Sequence, residues 1–557
     1  MISCRAVALV MAILGALFVP GVTTLAGSSA PCQVAGTVLD VDGNPVSGAA
    51  VTASPAKVTD TTDVEGAFCL NGLPTGRQML LAHHPESGDT RSLVTLEPGA
   101  DPLEVTLTLT DSFRDEVVVT ATRTEQRLED VPVRVQLVPK EAVEQTAART
   151  LAEAVELSTG VRTESNCQNC NFSQIRMLGL AGPYTQILID GQPILSGLSM
   201  VYGIEHIPAQ LIDRLEIVKG GGSALYGPGS VAGVVNVVTE QPHETRGNLQ
   251  VRHGWSDSEP QSTLEGGLDW ASADGRTAVT AYGQSDDVDA IDVDGDGFSD
   301  QGRREMEAFG ARVYRDVLPE DGQLVFDFAR MTESRRGGDS LDAPFTESQV
   351  AEAVDTERTS ISATWSHRPT DGFWYRLTAS HASTDRETYY GAGGDPNAFG
   401  STRNPLTVLD AQATFAMKSH MVTAGAQYER DSLRDTQPAY DRVLDEAYEN
   451  IGVFVQDEWS IGNTWSFLGG LRADDHSELA NSIVSPRVAV RYKPGRSLNI
   501  RFSWATGFLA PEVFNEDLHI EIANGAAQVI RNAPDLEEEG SSSYSLGAEW
   551  FPASDLG

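Results

Sequence analysis

VRTESNCQNCNFSQIRMLGLAGPYTQILIDGQPILSGLSMVYGIEHIPAQLIDRLEIVKGGGSALYGPGSVAGVVNVVT, residues 161–239, decides how this chain folds. Its apolar, β-branched runs (Gln186–Ile189, Leu215–Val218, Val234–Val238) alternate with glycine-rich turns, the pattern of a small mixed domain with short strands. Within it, Gly227-Pro228-Gly229-Ser230-Val231-Ala232 fits the G-x-G-x-x-G/A dinucleotide pattern. That chemistry needs a helix directly after the glycines, so that its N-terminus meets the pyrophosphate. Val234–Val238 follows instead, and β-branched residues favour a strand. The nucleotide reading therefore fails, and the glycines are expected to let a buried domain turn tightly against a surrounding wall.

The order of the pieces is more specific than any one of them. Ile175-Arg176 leads to Gly179, then come Ile187-Leu188-Ile189-Asp190-Gly191, Ile207-Pro208 and Arg214-Leu215-Glu216-Ile217-Val218-Lys219-Gly220. Ser223-Ala224-Leu225-Tyr226-Gly227 and Gly233-Val234-Val235-Asn236-Val237-Val238-Thr239 complete the series. This succession resembles the plug of a TonB-dependent outer-membrane receptor. The resemblance implies a plug over 126–242 that closes a barrel formed by the chain after it.

Composition agrees with a β-rich exported protein. A net charge of −39 argues against partners that need a basic face, nucleic acid or an anionic membrane surface. The longest apolar run, Ala6–Pro20, follows Arg5, and Thr24-Leu25-Ala26 offers a small-x-small cleavage site, so residues 1–26 read as a secretory signal peptide. Past it no run approaches a spanning helix, and a membrane role would have to use a β-barrel. Four cysteines remain after the signal, an even number in an exported chain, which favours disulfides. Cys32 with Cys69 and Cys167 with Cys170 is the simplest of the three connectivities.

Residues 27–110 alternate apolar and polar positions around turns such as Asp42-Gly43-Asn44-Pro45 and Asp63-Val64-Glu65-Gly66. Gly36-Thr37-Val38, Gly43–Ala49 and Gly66-Ala67-Phe68 resemble a carboxypeptidase-regulatory-like β-sandwich, an accessory module without catalytic residues. Next, in a linker over 111–125, Asp115, Glu116, Val117, Val118, Val119, Thr120 and Ala121 resemble a TonB box in wording and position. Such a segment works by β-augmentation, adding an extended strand to a partner sheet through its main chain. The resemblance implies TonB, with ExbB and ExbD, as partners.

From 243 to 557 the chain alternates apolar and polar residues in segments of about ten, as membrane-barrel strands do. In 497–506, Leu498, Ile500, Phe502 and Trp504 fall on one face and Asn499, Arg501 and Ser503 on the other. About fourteen such segments are expected from the pattern. Short connections (272–275, 318–322, 368–372, 462–463, 493–497) take turns with long ones near 286–303, 331–357, 386–405, 431–448 and 507–540, which predicts periplasmic turns and extracellular loops. Val453–Trp459, Ser485-Pro486-Arg487 and Thr506-Gly507-Phe508 resemble the same receptor family. The fold expected is thus mainly β: an N-terminal β-sandwich, a mixed α/β plug and a transmembrane antiparallel β-barrel. The family's barrel has twenty-two strands, so about eight, roughly 180 residues, are expected beyond Gly557, and the sequence reads as a fragment of a longer protein.

No hydrolytic motif is present, neither G-x-S-x-G nor H-E-x-x-H, and no enzyme is expected. Cys167-Gln168-Asn169-Cys170 lies where the resemblance puts the first apical loop of the plug; it reads as a rigidifying disulfide, with soft-metal binding as the alternative. Asp292, Asp294, Asp296 and Asp300 begin like an EF-hand loop, with Gly297 at the sixth position. Arg303 replaces the bidentate glutamate at the twelfth, so a Ca²⁺ there would need ligands from Asp286, Asp287 or Asp289. No cofactor is required, and structural Ca²⁺ is the one candidate ion. The function expected is TonB-dependent import of a scarce solute, a metal chelate such as a ferric siderophore or cobalamin, across the outer membrane, with the N-terminal domain in the periplasm. The alternative is a receptor or adhesin-like barrel that acts mainly in binding or signalling.

Overall fold

A computed structural model describes residues 32–550, apart from 41–42, 55, 85–87, 97–101, 110–116, 166–172, 200–201, 319–321, 496, 514–517, 519, 524–525, 529–531 and 534. The expected signal peptide and Cys167–Cys170 lie outside the described residues. The largest element is a sheet of fourteen antiparallel strands, from Arg246–Ser256 to Glu539–Trp550, each hydrogen-bonded to the next along the chain. Among the described residues its two end strands each have one neighbour.

Period-two alternation gives the sheet two unlike faces. Phe309, Phe326, Phe328, Ile361, Leu377, Leu409, Val453, Leu471 and Phe502 are exposed on the outward face. So large an apolar surface would be a liability in water and is the normal wall of a barrel in lipid. At the end with the short turns, aromatic side chains form a girdle: Phe373 meets Phe415 at 4.8 Å, Trp465 meets Tyr492 at 4.3 Å, and Trp365 Nε1 donates to Tyr375 Oη at 3.2 Å. The inward face carries buried polar side chains, Asp410, Gln412, Gln456, Arg472, Arg487 and Arg501 among them.

Of the expected long loops, those near 286–303 and 507–540 remain long connections, whereas those near 331–357, 386–405 and 431–448 are mostly strand. Gly322–Gly338 pairs with Val350–Thr370, and His420–Gln437 with Arg442–Ile461, so only residues 339–349 and 438–441 remain as connections. The upper parts of these strands carry polar residues on both faces, which erases the apolar alternation that marks a strand in lipid. The outer connection at Asp257-Ser258 is likewise a tight turn.

Inside the sheet sits the domain built from 161–239. Its five-stranded sheet runs in the order Val135–Pro139, Arg214–Lys219, Gly233–Val238, Thr185–Ile189, Gln192–Pro193. Val235, Val237, Leu215, Ile217 and Ile187 point to one side, into a core shared with Val143, Leu151 and Val155 of its short helices. Leu188, Val234, Glu216 and Asn236 point to the other. The helix Ser223–Tyr226 precedes the Gly227–Ala232 turns and the strand Gly233–Val238 follows them, the opposite of a dinucleotide site.

The N-terminal domain packs a three-stranded and a four-stranded sheet around Val34, Val38, Val51, Phe68, Leu70 and Leu80. Cys32 and Cys69 are joined, with Cα atoms 5.4 Å apart. Closing that loop contributes about 3–4 kcal/mol through the entropy of the unfolded chain.

Candidate functional site

The segment between the N-terminal domain and the plug packs against both the plug and the barrel. Of the expected TonB box, Asp115 and Glu116 lie outside the described residues, and Val117–Ala121 are seen. Val117 and Val118 pair antiparallel with Arg127 and Gln126, closing a narrow loop whose turn includes Arg123 at φ +57°. Val118 and Ala121 are buried with Val131, Val135 and Val218.

Buried main chain must find partners, and here each wall supplies some. From the plug, Glu216 Oε2 accepts Val119 N at 2.8 Å, Thr120 N at 2.7 Å and Thr120 Oγ1 at 2.7 Å. Tyr226 Oη donates to Thr120 O at 2.8 Å. Burial pushes the Tyr226 hydroxyl up to about 12, so it keeps the proton that bond needs. From the barrel, Arg487 Nη2 donates to Ala121 O at 2.8 Å and Gln412 Nε2 to Arg123 O at 2.8 Å. Further along, Arg501 holds Val131 O at 2.8 Å and Leu128 O at 2.9 Å.

Arg123 pins the turn. Its Nη1 donates to Asp410 at 2.9 Å, both side chains being almost wholly buried. The guanidinium lies 4.8 Å from the ring centroids of both Tyr226 and Phe454. Its Nε and Nη2 have no hydrogen-bond partner, and the two aromatic faces take their place.

A second seam lies beside the first. Arg472, fully buried, donates from Nε to both carboxylate oxygens of Asp474 at 2.9 and 3.0 Å, and from Nη1 to Leu225 O of the plug at 3.0 Å. Glycines make the room: a Cβ at Gly227 would stand 2.7 Å from Arg472 Nη2, and one at Gly452 would overlap it. Gly227 also has φ +80° and ψ −153°, a conformation that essentially only glycine adopts.

At the far end of the plug the loop 194–206 is tied to the wall. Gly197 N donates to Asp431 at 3.0 Å, Leu198 N to Asn404 at 3.2 Å, and Ser199 Oγ meets Thr384 Oγ1 at 2.8 Å. Glu205 pairs with Arg304 at 2.6 Å and with Arg335. Burial alone would raise its carboxyl; the two arginines outweigh that and hold it down to about 2.

The acidic loop is only partly gathered. Asp292, Asp294 and Asp300 bring carboxylate oxygens within 4.8 Å of one another, and Asp296 is not among them. Asp292 already accepts Gly295 N at 2.8 Å and Gly297 N at 2.9 Å, and Asp300 accepts Val293 N at 2.8 Å. Two of the three aspartates expected to complete a Ca²⁺ shell face arginines instead: Asp289 lies 3.4 Å from Arg303 and Asp286 lies 3.8 Å from Arg304. The donor set fits a hard cation in type and falls short in number.

Sequence comparison agrees with this geometry. Residues 33–110 match the carboxypeptidase regulatory-like domain, residues 127–234 the TonB-dependent receptor plug domain, and residues 294–557 the TonB-dependent receptor-like β-barrel. The chain belongs to the TonB-dependent receptors. The family is one of outer-membrane receptors and transporters rather than enzymes. The receptor is 24% identical over 440 residues to a vitamin B12 transporter of Vibrio vulnificus (strain CMCP6), covering 78% of this chain and 67% of the relative. It is 23% identical over 457 residues to an iron-regulated outer membrane virulence protein of Vibrio cholerae serotype O1 (strain ATCC 39541 / Classical Ogawa 395 / O395), covering 79% and 66%. Among solved structures, the siderophore receptor PirA of Acinetobacter baumannii superimposes with a TM-score of 0.64 at 18% identity, over 75% of this chain and 68% of that one, which shows the shared fold. The receptor spans about two thirds of the length of these relatives.

Proposed function

We propose that the receptor is an active transporter for a scarce solute, cobalamin or a metal chelate such as a ferric siderophore, captured at the loop end of the barrel and admitted on energy delivered through TonB, ExbB and ExbD. The observation that carries this reading is the docked segment Val117–Thr124, which begins as a β-branched strand at Val117–Val118, turns at 120–124, and is held by side chains that can let it go. Once released, its free main-chain groups suit it to add a strand to TonB. Asp115–Ala121 is the TonB box in this reading, and the N-terminal domain stands in the periplasm on the same side. The relatives named for vitamin B12 and for siderophores support the solute class.

In this reading the acidic loop orders the outer face by holding Ca²⁺ through Asp292, Asp294 and Asp300. With three protein carboxylates the affinity belongs to the weak extracellular range, roughly 10⁻⁴–10⁻³ M.

Val118→Pro tests the TonB box, because proline removes the amide that a paired strand would donate. Uptake should be lost while ligand binding at the cell surface is retained. Unchanged uptake would refute the assignment and favour a barrel that acts in binding or signalling.

A further inference from the structure

On the inner face, Glu429, Asn450 and His476 stand directly opposite one another on three neighbouring strands, His420–Gln437, Arg442–Ile461 and Trp465–His476. Side chains paired in this way have Cβ atoms about 5 Å apart. The row lies beside the outer end of the plug, since Asp431, two residues on from Glu429, is the carboxylate that accepts Gly197 N. Glu512, from the segment after the strand Leu498–Leu509, joins the row by accepting His476 Nε2 at 2.8 Å.

The donors of this row are already spent. Glu478 N can only donate, and it meets His476 Nδ1 at 3.2 Å, so the ring proton sits on Nε2 and goes to Glu512. Asn450 Nδ2 donates to Asp474 at 2.9 Å. Asp474 stands opposite Gly452, nearer the short turn, so the Asn450 oxygen is turned the other way, toward the outer end. That oxygen has no partner, although Asn450 is only 3% exposed. Tyr448, on the outer side of Asn450, is turned to Val513 N at 3.1 Å. Glu429 is partly exposed and makes no hydrogen bond or ion pair among the described residues. The charges acting on it most are those of Glu512 and Asp431, ahead of the Arg472 guanidinium. The row offers acceptors and no donor.

The inward arginines at this end do not fill the gap. Arg304 and Arg335 pair with Glu205, and Arg442 pairs with Asp435 at 2.8 Å. Nor does the row suit a metal ion: among the described residues, only Asp292, Asp294 and Asp300 bring three such ligand atoms within 4.8 Å of one another. Acceptors spread more widely match a group that carries several N–H donors.

We propose that Glu429, Asn450 and Glu512 form a subsite for N–H donors of the solute, an ammonium or a set of primary carboxamides, and that the receptor thereby selects against anionic chelates. The subsite rests on the transport reading above and narrows its solute. Cobalamin, neutral and edged with carboxamides, fits, as does a chelate that carries an amine. A ferric tris-catecholate, with three negative charges, does not. A small turn of the Glu429 side chain brings a donor to Asn450 Oδ1 and removes the cost of leaving that buried oxygen unpaired. An anion there would face carboxylates across a poorly solvated wall.

The test measures equilibrium binding to the full-length receptor in outer-membrane vesicles with three probes: cyanocobalamin, a ferric trihydroxamate bearing a free amine, and a ferric tris-catecholate. Cyanocobalamin or the amine-bearing chelate should bind about a hundredfold more tightly than the tris-catecholate, as like-charge repulsion at an interface predicts. Which of the two binds distinguishes carboxamides from an ammonium. Glu429→Gln keeps the shape and removes the charge; it should weaken the bound probe about tenfold, the worth of one hydrogen bond to a charged group. Glu429→Lys should weaken it further and strengthen tris-catecholate binding, a gain that misfolding does not give. Asp445→Asn, exposed on the outward face of the neighbouring strand, should change neither. Tighter binding of the tris-catecholate than of both other probes, binding of none of the three, or an affinity that Glu429→Gln leaves unchanged overturns the inference. TonB-dependent uptake of a tris-catecholate would sink the subsite and spare the transporter; the same probe selection without TonB-dependent uptake would do the reverse.

Discussion

Gly452→Ala should loosen the plug through a side chain that glycine alone accommodates. Gly452 faces inward on the strand Arg442–Ile461, opposite Gln427 and Asp474. A methyl group there would overlap the Arg472 guanidinium and come within 2.6 Å of Asp474 Oδ1. Arg472 would have to leave, parting from Asp474, from Gln427 at 3.1 Å and from the Leu225 carbonyl at 3.0 Å. Breaking a buried ion pair costs about 3–5 kcal/mol. Asn450 Nδ2 remains 2.9 Å from Asp474, so the lower end of that range applies. For a domain of the plug's size, at ~1.5 kcal/mol per M of urea, about 3 kcal/mol moves the unfolding midpoint down by roughly 2 M. A thiol placed at the buried Ala224 reports plug opening in a urea titration of the detergent-solubilised receptor. Gly469→Ala is the control, on the next strand with nothing within 4 Å of its Cβ, and should leave the midpoint unchanged. Equal midpoints for the two variants would refute the role given to Arg472.

Acid should undock the outer end of the plug. The Glu205 carboxylate is held below its unfolded value by two arginines, so its contribution is complete above about pH 4.5 and is lost as pH falls toward about 2; hydrogen exchange of 194–206 should rise across that window, and Glu205→Gln should remove the dependence. Calorimetry should detect weak Ca²⁺ binding that Asp292→Ala with Asp294→Ala abolishes and Asp296→Ala preserves; no heat in the native receptor would make the loop a solvated acidic tip. Cys167 and Cys170 should resist thiol labelling after mild denaturation without reductant, and free thiols there would revive soft-metal binding.

The sequence made the architecture readable wherever period-two alternation and glycine spacing act locally. Leu498, Ile500 and Phe502 do line the outward face opposite the buried Asn499 and Arg501, and the fourteen strands are those the pattern counts. The docking of the segment Val117–Thr124 was not readable, because its partners are far away in sequence: Asp410 lies 287 residues from Arg123, and Glu216 lies 96 from Thr120. Inward arginines such as Arg472 and Arg487 registered only as polar alternation. Their signal was an uncommon residue type on a strand's inner face, where burial requires a partner. In the acidic loop, spacing alone could not tell that Asp292, Asp294 and Asp300 gather while Asp296 stays apart, because that depends on how the chain turns at Gly295 and Gly297.

The most direct test of the account is uptake itself, in cells expressing the full-length receptor as their sole candidate transporter. Labelled cobalamin and a labelled ferric siderophore would be offered to cells with and without TonB. The account predicts that one solute class binds in both strains and accumulates only when TonB is present. Accumulation independent of TonB, or binding of either solute with no TonB-dependent uptake, would contradict it.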